Sequence, residues 1–293
     1  MKGIILAGGE GSRLYPLTKA VSKQLLPVYD QPMIYYPLSV LMVAGIKEIL
    51  IITTPVHKKI FENLLGDGSN IGLNLSYTIQ DKPRGLADAF ILGEEFIGND
   101  SICLMLGDNL LYGDGLTKIL KESINQVEDN ENAVVFGYYV NKPEDYGIIQ
   151  LNQNGEIVSI EEKPSHPTSN YAIIGLYFYP NNVIQLAKKV KPSLRGEIEI
   201  TSINQAYLNN NKIKANLLGR GFTWMDTGTH ESLLEASQLI KSLEKRTGLK
   251  IGCLEEIAFN KGLISQKDLK KSLQNIQDSP YKNYILKLVT RNE

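Results

Sequence analysis

The 293-residue chain is poor in cysteine and histidine, with 2 and 3 respectively, and its formal net charge is −1. The two cysteines, Cys103 and Cys253, lie too far apart to suggest a disulfide framework, and no Cys/His spacing of a metal site is present. Cys103 sits in the apolar run Ile102–Leu106 and reads as a small buried hydrophobe. The histidines, His57, His166 and His230, are scattered and leave no Ser–His–Asp or Cys–His set. Without a basic excess the chain is not expected to bind nucleic acid, and any polyanion site has to be built locally from a few placed cations. Long apolar runs are lacking as well. No stretch approaches the ~20 residues of a spanning helix, and Gly3–Ala7 is too short for a signal peptide. A reduced, cytoplasmic protein with no membrane partner is therefore expected.

What is present is an ordinary globular composition, 43% hydrophobic and 22% charged, which argues against disorder. At this length the chain supports one large domain, or one domain with an appendage. Its first residues are the most informative. The apolar run Lys2–Ala7 reads as a buried strand and empties into Gly8-Gly9-Glu10-Gly11-Ser12-Arg13. A glycine-rich turn after a first strand lets backbone N–H groups approach a phosphate chain closely. Arg13 and Lys23 bring two cations to the same end. The loop is not a P-loop, since no Lys follows Gly11 in the required register. Nor is it a dinucleotide fingerprint, because Leu14 stands where the third glycine belongs.

Strand-like runs at Ile4–Ala7, Ile49–Thr53, Leu75–Ile79 and Ile102–Leu106 alternate with helical stretches at Met33–Ala44, His57–Leu65 and Leu86–Phe96. That alternation predicts an α/β fold: a Rossmann-like, mostly parallel mixed sheet flanked by helices, with ligands at the carboxyl ends of the strands. Gly8–Arg13 and Gly107-Asp108-Asn109 then face each other. Runs at Val134–Val140, Ile148–Leu151, Ile157–Ile160 and Ala172–Tyr179, with a turn at Asn154-Gly155, predict an inserted antiparallel lobe. From Glu231 the pattern turns helical, with further helices at Leu254–Asn260, Gln266–Gln274 and Tyr281–Val289. The expected division is a core over 1–230, with a first ligand-binding half to about 110 and a lobe for a second substrate beyond, and a C-terminal helical section over 231–293.

Several polar residues interrupt this pattern. Asp108 ends an apolar strand and Asp226 precedes a tight turn. Two carboxylates at strand ends, completed by substrate phosphates and water, suit Mg²⁺. A Gly-Asp turn taken alone is equally a cap. Lys163, in Glu161-Glu162-Lys163-Pro164, reads by itself as a solvated strand end. Gln80 ends a strand, and its amide can pair with the N3–H and O4 edge of thymine or uracil. Tyr177 reads as core.

Together these residues carry a resemblance. Gly8-Gly9-x-Gly11-Ser12-Arg13-Leu14-x-Pro16-x-Thr18 followed by Ser22-Lys23-x-Leu25-Leu26-Pro27 resembles the signature of sugar-1-phosphate nucleotidylyltransferases. The resemblance runs from Lys2 to about Leu288 and is nearest to the short, homotetrameric thymidylyltransferases. It implies an Mg²⁺-dependent enzyme, with Mn²⁺ able to substitute, that joins dTTP and glucose 1-phosphate into dTDP-glucose and pyrophosphate, the first step towards dTDP-deoxysugars. It implies catalytic roles for Arg13, Lys23, Lys163, Asp108 and Asp226, the two aspartates holding the metal in their L-G-D and W-x-D-x-G-T segments. Nucleotide contacts fall on Leu6, Gly8, Gly9, Gly11, Ser12, Arg13, Gln80, Gly85 and Asp108. Sugar contacts fall on Tyr146, Gly147, Glu162, Lys163, Gly175 and Tyr177, and Arg195–Thr201 matches a further segment in which Glu197 orients Lys163 or the sugar.

Departures accompany the match. Arg84 and Asp88 replace residues of the usual P-D-G-L-A-Q-A run, which leaves a UTP-preferring enzyme open. A catalytically inactive nucleotide-sugar sensor is the alternative of another class, although none of Arg13, Lys23, Asp108 or Asp226 is lost. The family's second, inhibitory nucleotide site, where dTDP-rhamnose binds between subunits, matches Gly219, Arg220, Cys253, Glu255 and Glu256. Asn260 stands there in place of an Arg, so inhibition is expected to be shallow.

Overall fold

Short apolar runs broken by glycine and proline set the order of the elements. The computed structural model describes residues 1–193 and 196–290, so Arg195 of the 195–201 segment lies outside the described residues. Strand β1 (Lys2–Ala7) leads through a glycine loop to a small ribbon, β2 (Pro27–Val28) and β3 (Gln31–Pro32). Helix α1 (Tyr35–Ala44), β4 (Glu48–Thr53), α2 (Lys58–Leu65), β5 (Asn74–Ile79), α3 (Asp88–Leu92), α4 (Glu94–Ile97) and β6 (Ile102–Leu106) follow. Then come β7 (Asn109–Gly113), α5 (Leu116–Asn130), β8 (Ala133–Tyr139), β9 (Gly147–Leu151), β10 (Ile157–Glu162) and β11 (Tyr171–Tyr179). The chain ends with α6 (Val183–Lys189), α7 (Ile200–Asn209), β12 (Ile213–Leu218), β13 (Phe222–Asp226), α8 (His230–Thr247), α9 (Leu254–Asn260), α10 (Gln266–Ser272) and α11 (Pro280–Thr290).

Nine strands form one sheet. Its path is β10-β9-β11-β6-β1-β4-β5, with β8 pairing β11 and β12 pairing β8. The pairs β1/β4, β1/β6 and β4/β5 are parallel. Strand β11 reverses direction and pairs antiparallel with β6, β8 and β9. The antiparallel strands thus extend the parallel sheet through a shared edge. Side chains of β1 alternate between two cores: Ile5 and Ala7 face one, Ile4 and Leu6 the other. Both faces being covered is why the strand is apolar without a break.

The expected strands of the first half appear within two residues at each end. The single helix expected over Leu86–Phe96 is two, α3 and α4, which meet at Gly93. A side-chain carbon there would lie 2.9 Å from Ile4 Cδ1 and from the Ala89 carbonyl oxygen, so the backbone packs against β1 at the break. Sequence patterning missed β7, α5, α6, α7, β12 and β13. Strands β7 and β13 form their own antiparallel pair beside the main sheet.

The C-terminal helices are built into the molecule. Leu254, Leu269, Ile285 and Val289 are buried in the same cluster as Ile5 and Leu38. Leu254→Ala should therefore cost about 2–4 kcal/mol of stability. Urea denaturation should show a lower midpoint for the whole molecule. An unchanged midpoint would mean that the C-terminal section adds nothing to the core.

Candidate active site

The site grows from one two-residue turn. Gly107 and Asp108 join β6 to β7, and Asn109 opens β7 directly opposite Asp226, the last residue of β13. The Thr227 N–H and hydroxyl both donate to the Asp108 carbonyl oxygen, at 3.0 and 2.7 Å. Two aspartates far apart in the sequence are thereby brought side by side. Asn109, buried, fixes the arrangement. Its Oδ1 accepts from the Trp224 indole N–H at 2.6 Å and the Gly175 N–H at 3.0 Å, while its Nδ2 donates to Asp108 at 3.2 Å.

The glycine loop closes one side. Leu6 lies at the buried end of β1, and Gly9 and Gly11 take positive φ, 98° and 60°. Ser12 and Arg13 open a single 3₁₀ turn behind it. The Arg13 side chain is 63% exposed, and its Nη2 stands 3.9 Å from Asp226 Oδ2. Lys23 is ion-paired with Asp108 through its Nζ and Oδ2. A cavity of about 540 Å³ runs from Gly9 and Glu10 past Ser22 to His57 and Gln80. Gly85 takes φ 99° where its loop lies against residue 198, and a Cβ there would fall 2.5 Å from the Ile198 carbonyl oxygen.

A second cavity, about 170 Å³, opens on the other side of Asp226. Tyr146, Gly147, Glu162 and Lys163 line it, with Gly175 and Tyr177 at its back. Glu162 accepts a hydrogen bond from the Thr201 hydroxyl. Lys163 is exposed and holds a positive φ of 44°, uncommon for a residue with a side chain, while its N–H donates to the Tyr146 carbonyl at 3.0 Å. Tyr177 is a core residue stacked on Tyr179, and it borders the cavity. Trp224 also lines it, held edge-on by Tyr146 and Tyr138. Glu197 is not among the lining residues.

The two carboxylates differ electrostatically. Burial alone would raise Asp108, but the Lys23 ammonium, its hydrogen bond and the Asn109 amide together hold the carboxyl below its ordinary value. Burial and then the Asp108 charge push Asp226 up to about 6, against the partial relief of Lys23 and Arg13. Asp226 Oδ1 is buried with no hydrogen-bond partner among the described residues. An orphaned carboxylate oxygen beside a second carboxylate fits a small hard cation such as Mg²⁺. No cluster of three or more acidic, His or Cys side chains occurs among the described residues, so phosphate and water have to complete such a site.

The residues matched to a regulatory site are split. Cys253, Glu256 and Asn260 line a separate cavity of about 850 Å³ between α1, α5 and the C-terminal section, which Lys118, Lys121 and Lys250 also border. Glu255 turns away and accepts from the Tyr281 hydroxyl at 2.5 Å. Gly219 and Arg220 border another pocket, beside Tyr139 and Tyr171.

A family model described as nucleotidyl transferase matches residues 2–242. The chain belongs to the nucleotidyl transferase family. A glucose-1-phosphate thymidylyltransferase of Neisseria meningitidis serogroup A is 52% identical over 291 residues, covering 99% of this chain and 100% of that protein. One from Mycobacterium tuberculosis is 50% identical over 292 residues, with all of both chains covered. A Bacillus anthracis structure in complex with a sucrose, provisionally described under the same enzyme name, superposes with a TM-score of 0.75 at 44% identity. It covers 82% of this chain and 94% of its own.

Sequence reasoning missed Asn109, Trp224, Thr201 and Thr227 as functional supports. Asn109 and Thr227 were visible as the polar neighbours of the two aspartates, whereas Thr201 lies in the matched 195–201 segment without any mark of its bond to Glu162.

The raised Asp226 has a consequence for stability. Between its ordinary value of 3.8 and about 6 the folded protein keeps a proton that the unfolded chain has released. Stability therefore falls as pH climbs through that window and stays lowered above it. In the presence of a chelator at pH 7.5, Asp226→Asn should be more stable than the parent by roughly 2–3 kcal/mol. The advantage should vanish near pH 4. Melting curves at the two pH values test this, and a variant that melts lower at pH 7.5 would contradict it.

Proposed function

We propose that the protein transfers a deoxythymidylyl group from dTTP to glucose 1-phosphate, releasing pyrophosphate and dTDP-glucose. The observation that carries the reading is the Asp108/Asp226 pair, set between a glycine loop with Arg13 on one side and the Tyr146–Lys163 cavity on the other. Full-length relatives bearing that enzyme name support the choice of substrates. A phosphate oxygen of the sugar phosphate attacks the α-phosphorus of dTTP, and pyrophosphate leaves from the opposite side. The attacking phosphate is already ionised, so no protein base is required.

The chain's own task is to bring two anions together and hold them in line. Loop N–H groups and Arg13 bind the triphosphate. Lys163, turned by its left-handed backbone, binds the sugar phosphate, while Glu162 and the backbone at Gly147 and Gly175 bind the hexose. Lys23 neutralises Asp108 until substrate arrives and then shares its charge with the nucleotide phosphates. Mg²⁺, or Mn²⁺ in its place, would be held by Asp108 and Asp226 and would supply positive charge to the reacting phosphates.

The reading extends to regulation. Residues 1–230 are the catalytic core, and 231–293 complete a second nucleotide site in the 850 Å³ cavity. Arg220 borders a different pocket of the same chain, and in this reading a neighbouring subunit of a homotetramer completes the second site. A cytoplasmic enzyme feeding dTDP-deoxysugar synthesis accords with a chain in which no described helix is long and apolar enough to cross a membrane.

Pyrophosphate release should require dTTP, glucose 1-phosphate and a divalent cation together; release in excess EDTA would refute the metal assignment. Lys163→Ala should chiefly impair use of glucose 1-phosphate, and Arg13→Ala use of dTTP. Each should cost roughly 2–4 kcal/mol of transition-state stabilisation. Equal damage towards both substrates in both variants would refute the division of labour. Asn260→Arg should tighten inhibition by dTDP-sugars about tenfold or more without altering kcat at saturating substrate. An unchanged inhibitor titration would remove this cavity from the regulatory site.

A further inference from the structure

Gln80 and Asp88 form a buried pair on the nucleotide side. Gln80 follows β5, and its backbone N–H is anchored to the Thr53 carbonyl at 2.8 Å. Its side-chain Nε2 donates to Asp88 Oδ2 at 2.9 Å. The two residues are 7% and 2% exposed, so water does not compete effectively for this bond. Gln80 Oε1 points the other way, to within 3.3 Å of where a side-chain carbon on Gly8 would sit. It therefore looks onto the glycine loop and the cavity that Gln80 lines.

A carboxylate accepts hydrogen bonds and does not donate them. Turning the Gln80 amide over would set Oε1 against Asp88 Oδ2, oxygen against oxygen, with no donor between them. An amide facing water or a hydroxyl would turn freely; this one does not. One amide hydrogen is taken by Asp88. What Gln80 can offer a ligand is an acceptor, Oε1, and one remaining N–H.

We infer that Asp88 is a positioning residue for base selection: by fixing the Gln80 amide, it restricts the site to nucleobases with an imide N–H beside a carbonyl. The inference rests on Gln80 as the base-contacting residue of the proposed reaction. Thymine and uracil present N3–H next to a carbonyl, which matches the fixed amide. Cytosine presents the reverse, an acceptor at N3 next to an amine. To accept cytosine the amide has to turn over, and Asp88 blocks that turn. Asp88 thus rejects cytosine nucleotides without touching them, because a buried amide facing the wrong edge is left unpaired. It does not separate thymine from uracil, which share the edge.

The experiment is a nucleotide competition, reading kcat/KM for dTTP and dCTP with glucose 1-phosphate and Mg²⁺. The parent should strongly favour dTTP. Asp88→Asn replaces a pure acceptor with an amide that either donates or accepts, so both orientations of Gln80 become satisfied. The dTTP/dCTP ratio should fall about tenfold or more, through a gain with dCTP as well as a loss with dTTP. Asp88→Ser, whose hydroxyl also donates or accepts, should move the ratio the same way and serves if the Asn variant does not fold. A purely structural role would lower both nucleotides together and leave the ratio fixed, and that result in a folded variant overturns the inference. Gln80→Ala separates the two levels. If it abolishes discrimination while the Asp88 variants keep it, only the lock is wrong. If it leaves discrimination intact, Gln80 does not read the base, and the reading beneath the inference fails with it.

Discussion

The Asn109 side chain is the constraint on which the site depends. Strands β7, β11 and β13 and the Gly107-Asp108 turn converge on it. Through its carbonyl it holds Trp224 of β13 and the backbone of β11, and through its amide it holds Asp108. Each of these donors would be costly to leave unpaired in a dry interior. Satisfying them together fixes the register of β7 on β13, and that register sets Asp226 beside Asp108. The wall of the Tyr146–Lys163 cavity follows as well, because Trp224, once hydrogen-bonded, packs in T-shaped contact with Tyr146 and Tyr138.

Two adjacent carboxylates in a partly buried site repel each other, and the protein meets this unequally. Lys23 pairs with Asp108, which is held ionised, while Asp226 keeps an oxygen with no hydrogen-bond partner among the described residues. Arg13 lies 3.9 Å away and mostly in solvent, so it screens Asp226 without closing it. The result is a site short of positive charge on one side only. Such a site is poised for a cation that carries water and phosphate with it, rather than for one enclosed by protein ligands.

Much of this was legible in the chain. The parallel strands were visible because burial on both faces makes them continuously apolar. Asp108 and Asp226 were visible because each interrupts such a run with a charge. Their partners were less so. Asn109 is one polar residue among many until β11 and β13 are laid beside it. Strand β13 hides because Phe222, Thr223, Met225 and Asp226 are only half-buried, so its alternation is weak. Helix α5 carries its apolar stripe on Leu116, Ile119, Leu120, Ile124 and Val127 within an otherwise polar run, with only Leu120, Ser123 and Val127 fully buried. Arg220 and Cys253 were linked by motif alone. In the folded chain they border different pockets, a separation that leaves no local trace in the sequence.

The two substrate sides are one frame. The loop carrying Gly85 is hydrogen-bonded to the chain just before α7: Ile198 N–H donates to the Arg84 carbonyl at 2.6 Å, and Ala87 N–H donates to the Ile198 carbonyl at 3.1 Å. Gly85 is needed because any side chain at its positive φ would strike that strand of backbone. Three residues beyond Gly85, Asp88 fixes Gln80; three residues beyond Ile198, Thr201 holds Glu162. Gln80 and Glu162, which the proposed reaction assigns to the base and to the sugar, therefore hang from the same pair of backbone hydrogen bonds. In-line attack demands that the two phosphates meet at a set angle and distance. A frame that ties both binding groups to a common support supplies that alignment before either substrate arrives, which is where orientation lowers a barrier between two anions.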